Sequence, residues 1–154
     1  MKRVVLAAIL ALFVVDRVNA QDYDWALGVR LGDNMSGFSA KKSITTSSKI
    51  EGVIAFPYSQ GINIMGSYQK YMPVIDNGFH FYYGFGAHIG NERYRKHGEC
   101  HSGASLGADG VVGLEYKLFE VPLAFSIDYK PALNLVGHNT LNLAGFALSI
   151  RLTL

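Results

Sequence analysis

A strict two-residue alternation constrains the fold of this sequence more than any other feature. In residues 78–90, GFHFYYGFGAHIG, one parity is aromatic or aliphatic, and the other holds glycine, histidine and tyrosine. A period of two indicates a β-strand with one parity on each face. A soluble sheet would bury the apolar face in a core, whereas a membrane barrel would turn that face toward lipid.

The same alternation recurs in eight runs that are separated by turn signals. The runs cover about residues 22–32, 37–44, 49–56, 62–71, 78–90, 104–118, 123–134 and 145–154. Their lengths exceed the roughly five to six residues of an average globular strand and approach the roughly nine to eleven that a tilted membrane strand needs. We therefore predict an all-β fold, an eight-stranded antiparallel up-and-down transmembrane β-barrel.

The first twenty residues, MKRVVLAAILALFVVDRVNA, combine a basic start, an apolar run and small residues before Gln21. This pattern predicts a secretory signal peptide over 1–20, leaving a single barrel domain over 21–154. The peptide holds three basic residues and one acidic, so the totals of 14 and 12 fall to 11 and 11. A balanced charge gives no support for nucleic-acid binding. Cys100 is the only cysteine, so no internal disulfide can form.

The lengths of the connections predict an orientation. With the N-terminus in the periplasm, turns at 45–48, 72–78 and 119–121 fall inside, and loops at 32–36, 57–61, 91–103 and 136–142 fall outside. The longest connection, 91–103, then lies outside, as expected for such barrels. Tyr and Trp prefer membrane interfaces. Five aromatic residues near strand ends are therefore predicted to form girdles: Tyr23, Trp25, Tyr68, Tyr71 and Tyr129.

The polar parity carries charges that we expect inside the barrel. The interior of an eight-stranded barrel is just wide enough for side chains to fill, and an unpaired buried ion costs several kcal/mol. Equal numbers of the two signs would allow pairing, so a closed, charge-paired lumen is predicted. The basic members are Arg30, Lys41, Lys117, Lys130 and Arg151, and the acidic members are Asp24, Glu51, Asp109, Glu115 and Asp128.

Several segments also resemble a known family. They are GFSAKKSI, GINIMGSYQKYMPV, GFHFYYGFGAHIGN, GADGVVGLEYKLFEVPLAFSIDYKPALNL and FALSIRLTL. Across residues 21–154 the chain resembles the small eight-stranded outer-membrane β-barrel proteins of the Bacteroidetes. The resemblance implies the fold and a location in the outer membrane of a Gram-negative bacterium, and little about activity.

Two groups of residues are candidates for a metal or catalytic site. His97, Cys100 and His101 offer three metal-type ligands in one loop without a second pair nearby, so no metal or cofactor is predicted. His80 and His88 share the lumen parity with carboxylates. They stand eight residues apart, about 27 Å along a strand, and we interpret them as network members rather than as one catalytic site.

The expected function is therefore that of a small integral outer-membrane barrel with a closed lumen and no enzymatic activity. Its role would be structural, or would act through extracellular loops, where Arg93, Arg95 and Lys96 could contact lipopolysaccharide or a surface partner. Expected partners are membrane lipid and the outer-membrane assembly machinery. Two alternatives stay open: a soluble lipocalin-like barrel that binds an apolar ligand, and a narrow channel.

Overall fold

The structure is a computed structural model that describes residues 23–33, 35–58, 61–75, 78–96, 99–136, 141–143 and 145–154. The predicted signal peptide lies outside the described residues. Ten strands are present in this part of the chain. They are β1 (Trp25–Gly32), β2 (Met35–Thr45), β3 (Ser48–Pro57), β4 (Gly61–Ile75), β5 (Phe79–Lys96), β6 (Glu99–Lys117), β7 (Leu123–Tyr129), β8 (Ala132–Val136), β9 (Leu141–Asn142) and β10 (Phe146–Thr153).

The strands close into one antiparallel barrel. Each of β1 to β6 pairs with its neighbour in sequence, β6 pairs with β7, β7 with β10, and β10 with β1. Strand β8 continues β7 in the same register against β6, and β9 lies ahead of β10 with a one-residue offset. Strands β7 and β8 therefore occupy one strand position of the barrel, and β9 and β10 occupy another. The ten strands fill eight positions, so the predicted eight-stranded up-and-down barrel is confirmed.

Both chain ends of the barrel lie at one end, which we call the terminal end. There Leu154 closes onto the first strand, with its N–H donating to the Trp25 carbonyl at 2.7 Å. The connections from β2 to β3, β4 to β5 and β6 to β7 are also at the terminal end. The opposite end, which we call the far end, carries the connections that follow β1, β3, β5 and β8.

The prediction that residues 91–103 form a loop is wrong. Strand β5 runs on to Lys96 and β6 starts at Glu99, and the two pair with Arg95 opposite Cys100. Beyond Glu92 on β5 and Leu106 on β6, the described strands pair only with each other. The backbone pairing of β5 with β6 continues past the body of the barrel. The result is a two-stranded extension at the far end, the β5–β6 arm (residues 93–96 and 99–105).

Polar side chains fill the interior, and apolar side chains cover the outside. Adjacent residues of β6 show the contrast, because Leu114 is 44% exposed whereas Glu115 is 1% exposed. The described apolar residues inside include two small clusters, one of which joins Val53, Ala55 and Met65. Among the described residues, no helix is long and apolar enough to cross a membrane.

Glycines on the inward face let neighbouring strands and large side chains approach closely. A Cβ added to Gly84 would lie 2.0 Å from the Tyr68 carbonyl oxygen, and one added to Gly113 would lie 2.7 Å from the ring of Tyr82. By contrast, a Cβ at the outward-facing Gly66 would meet nothing within 4 Å. The inward glycines are therefore required by packing, and the outward one is not.

We expect Gly84→Ala to lower the free energy of unfolding by about 1–3 kcal/mol, because the added methyl group overpacks the β4–β5 contact. The measurement is a urea titration of the refolded barrel in detergent, followed by the fluorescence of Trp25. Gly66→Ala is the matched control on the neighbouring strand and should leave the midpoint nearly unchanged. Equal losses for both variants would contradict the packing argument.

Candidate functional site: the charged interior

The middle of the interior is organised around Arg151 and Glu51. The Arg151 Nη2 donates to Glu51 Oε1 at 2.5 Å, and both side chains are almost fully buried. Ser39 Oγ donates to the same carboxylate oxygen at 2.7 Å, and Gln69 Nε2 donates to the other at 2.6 Å. The remaining Arg151 donors reach Ser39 and Ser126. Each end of this ion pair is thus also hydrogen-bonded, as a buried pair requires.

Small residues make room for the Arg151 side chain. In the sheet register, Arg151 of β10 lies between Gly28 of β1 and Ala124 of β7. A Cβ at Gly28 would stand 2.6 Å from the Arg151 Cα. The guanidinium can therefore extend across the lumen toward β2 and β3, where Ser39 and Glu51 lie.

A second cluster surrounds Glu115 toward the terminal end. Its carboxylate accepts from Tyr23 Oη at 2.5 Å and from Tyr71 Oη at 3.1 Å. Two ammonium groups are close to it, with Lys41 Nζ at 3.1 Å and Lys49 Nζ at 3.7 Å. Lys49 Nζ also lies 3.6 Å from the centroid of the Tyr23 ring, a cation–π distance. This cluster fills the lumen at the terminal end.

A third cluster lies toward the far end. Arg30 forms a two-pronged ion pair with Asp128, and Tyr82 Oη donates to the same carboxylate at 2.9 Å. Farther along, His88 Nδ1 lies 2.7 Å from Asp109 Oδ1, and its Nε2 lies 2.8 Å from the side-chain oxygen of Asn134. Both ring nitrogens of His88 are therefore engaged within the network, which is how a structural histidine is held.

The predicted lumen residues fall into two groups. Eight are buried inside: Arg30, Lys41, Glu51, Asp109, Glu115, Asp128, Lys130 and Arg151. Lys117 is half-buried, with its Nζ 5.5 Å from the Tyr23 ring centroid. Lys130 Nζ lies 3.9 Å from Glu51.

The predicted set of lumen charges is wrong at two positions. Asp24 is exposed, because it precedes the first strand, and Lys49 is buried although it was not among the predicted members. Lys49 shares the parity of Glu51, so the alternation alone contained the signal for it. Among the described residues the interior then holds five buried basic side chains and four buried acidic ones.

Two aromatic girdle predictions are also wrong. Tyr23 and Tyr71 are 2% and 3% exposed, and both point into the lumen. Tyr71 lies two residues from Gln69 on the inward parity of β4, whereas Tyr23 lies before β1 and is not bound by its alternation. Their hydroxyl groups donate hydrogen bonds to Glu115, so neither side chain lies at the predicted membrane interface.

The remaining predicted site residues do not come together. His80 is half-buried, and its Nδ1 lies 3.3 Å from the Gly78 carbonyl oxygen. His97 lies outside the described residues, and only the backbones of Cys100 and His101 are described. The same holds for Arg93, Arg95 and Lys96, whose backbones belong to the β5–β6 arm. Within the described part of the chain, no three His, Cys, Asp or Glu side chains form a group that could hold a metal ion.

Comparison with known proteins supports the fold. No protein-family profile and no curated protein matches the sequence. Among solved structures, the chain is similar to the crystal structure of Neisserial surface protein A, with a TM-score of 0.58 and 13% sequence identity. The similarity covers 84% of this chain and 93% of that chain. At this identity the likeness bears on the fold alone.

We expect Arg151→Met to lower the free energy of unfolding by roughly 3–5 kcal/mol, because it leaves the buried Glu51 without its closest cation. Urea titration of the folded barrel measures the loss. The double variant Arg151→Met/Glu51→Met removes both charges and should recover most of the stability. Lys117→Met, at the half-buried rim, should cost about 1 kcal/mol or less. No recovery in the double variant would contradict a role for the pair.

Proposed function

We propose that this protein is a small integral outer-membrane β-barrel with a closed, charge-paired lumen, which acts at the cell surface through its far end. One observation carries the proposal: the barrel is inverted relative to a soluble protein, with ion pairs inside and large apolar side chains outside. Outward-facing Phe85, Leu31 and Phe38 are 70%, 59% and 64% exposed. A continuous apolar surface of this kind marks contact with lipid.

Aromatic residues near both ends support the membrane placement. Trp25, Tyr68 and Tyr83 are exposed near the terminal end, and Tyr58 and Phe146 are exposed near the far end. Tyr and Trp are enriched where a membrane meets water. The two sets bracket an apolar band between them, as in membrane barrels.

The same arrangement argues against the soluble alternative. A lipocalin-like barrel needs an apolar cavity inside and a charged outer surface. Here Arg151, Lys41 and Glu51 are among the largest fully buried side chains, and Ile54 and Ile64 face outward. The described interior is lined mainly by charged and polar side chains, so it offers an apolar ligand no apolar cavity.

The side chains that fill the lumen also argue against a channel. The excess of one basic side chain among the described residues would favour anions. However, Arg151 and Gln69 both donate to Glu51 across the interior, and all three side chains are at most 1% exposed. We propose that the lumen is a structural plug and that no catalytic step takes place in it. Mature protein reconstituted into planar bilayers should therefore give no steady conductance, and a reproducible single-channel current would contradict the plug.

The far end is the surface that we propose for interaction. With the terminal end in the periplasm, the β5–β6 arm extends away from the outer face of the membrane. Its sequence carries Arg93, Arg95 and Lys96, which would suit the phosphates of lipopolysaccharide or an acidic surface partner. The expected signal peptide and the assembly machinery would deliver the chain to a Gram-negative outer membrane, in keeping with the resemblance to Bacteroidetes barrels.

The mobility of the mature protein on a gel tests the proposal directly. Protein folded in detergent should migrate differently before and after boiling, with a β-rich circular dichroism spectrum before boiling. A soluble, buffer-stable protein with the same mobility in both lanes would overturn the membrane placement.

We expect Phe85→Arg to cost roughly 2–4 kcal/mol in lipid vesicles, because it places a charge on the outward face near the middle of the part of β5 that pairs with β4. Urea titration of the vesicle-bound barrel measures the loss. Leu31→Arg, near the far end of β1, is the matched control and should cost about 0–1 kcal/mol because charges are tolerated near the interface. Had the outward face met water, the two substitutions would be equally mild.

A further inference from the structure

The outer surface over β1 to β4 carries a groove, because small residues stand there in place of bulky apolar side chains. Its volume is about 680 Å³. Ala40 of β2 and Gly52 of β3 form the floor, with Leu27 at one side. Along the far-end side, the neighbouring residues Phe38, Ile54 and Ile64 form a wall. The groove therefore lies within the apolar band, open to the membrane.

The floor arises from the register of the strands. Ala40 pairs with Gly52, and Gly52 pairs with Gly66, so three small residues lie side by side on the outward face of β2, β3 and β4. A Cβ added at Gly52 or at Gly66 would meet nothing within 4 Å. The space above these two glycines is thus free of protein atoms, and packing within the barrel does not require glycine at either position.

A basic surface borders the groove on the terminal-end side. Lys42 lies two residues beyond Ala40, and Lys70 lies four residues beyond Gly66, on the same outward face. At about 3.4 Å per residue, their backbones stand roughly 7 and 14 Å from the floor. Both lysines are exposed, and neither forms an ion pair with a carboxylate of the described residues. Lys42 Nζ lies over the ring of Trp25 at 5.0 Å.

The aromatic neighbours place these two lysines at the headgroup level. Lys42 pairs with Trp25, and Lys70 pairs with Tyr83, both of which belong to the terminal-end aromatic band. Residues of this kind mark the depth at which hydrocarbon gives way to polar headgroups. Two ammonium groups at that depth, without a carboxylate partner in the part of the chain that the structure describes, attract an anionic headgroup.

We propose that this side of the barrel, over β2 to β4, binds an anionic phospholipid of the periplasmic leaflet. The phosphate lies between Lys42 and Lys70, and one acyl chain lies in the groove over Ala40 and Gly52. The apolar wall of the groove can pack against the acyl chain, and the two lysines can pair with the negative charge of the phosphate. The inference rests on the proposed membrane placement with the terminal end in the periplasm.

Native mass spectrometry of the full mature barrel, with added phosphatidylglycerol or phosphatidylcholine at equal concentration, tests the inference. We expect the wild-type barrel to retain at least threefold more phosphatidylglycerol than phosphatidylcholine. Lys42→Gln/Lys70→Gln should bring the two lipids to parity. Gly52→Leu should lower the retention of both lipids several-fold, because the leucine side chain fills the groove.

Val112→Leu, on the outward face of β6, is the control for enlarging a lipid-facing side chain elsewhere, and it should bind both lipids as the wild type does. If Gly52→Leu fails to fold, the lysine variant decides alone. Equal retention of the two lipids by the wild type, or an unchanged preference in the lysine variant, would overturn the inference. Each preparation is first checked for the gel shift on boiling, so that loss of the membrane barrel itself is distinguished from loss of the lipid site.

Discussion

The hydrogen-bonded ion pair between Arg151 and Glu51 is the interaction on which the rest of the interior depends. A charge buried without a partner costs several kcal/mol, so each end of the pair must be satisfied from every side. Arg151 uses Ser39 and Ser126 besides Glu51, and Glu51 uses Gln69 besides Arg151. These partners come from β2, β3, β4, β7 and β10. One network therefore ties together strands that are far apart around the barrel.

The space for that network comes from residues without large side chains. Gly28 and Ala124 flank Arg151 in the register, and Gly113 accommodates the ring of Tyr82. Because an interior of eight strands is only wide enough for side chains to fill, each long side chain needs a small neighbour across the strand. The inward glycines thus leave the space that the polar side chains of the lumen occupy. Because polar side chains fill the interior, most large apolar side chains lie on the outer surface.

The outer surface is uneven, and the proposed lipid site lies where its side chains are smallest. Small residues align on β2 to β4, whereas Leu114, Ile127 and Ile150 present bulky side chains on β6, β7 and β10. The two exposed lysines beside the small residues give that side a charge as well as a shape. The interior is filled by bonded side chains, so under the proposed membrane placement the outer surface and the β5–β6 arm are the surfaces left for contact with other molecules.

The sequence by itself determined the number of barrel strands, their antiparallel order and the face on which most charges lie. Alternation with a period of two is a local property that any long strand displays. The sequence could not determine which charges meet. Arg151 is 100 residues from Glu51, and Arg30 is 98 from Asp128, so these contacts follow from barrel closure and register. The inward turn of Tyr23 was also decided by the tertiary structure, because that residue precedes the strand and obeys no alternation. The groove on the outer face depends on the same cause: Ala40, Gly52 and Gly66 become neighbours only when three strands align.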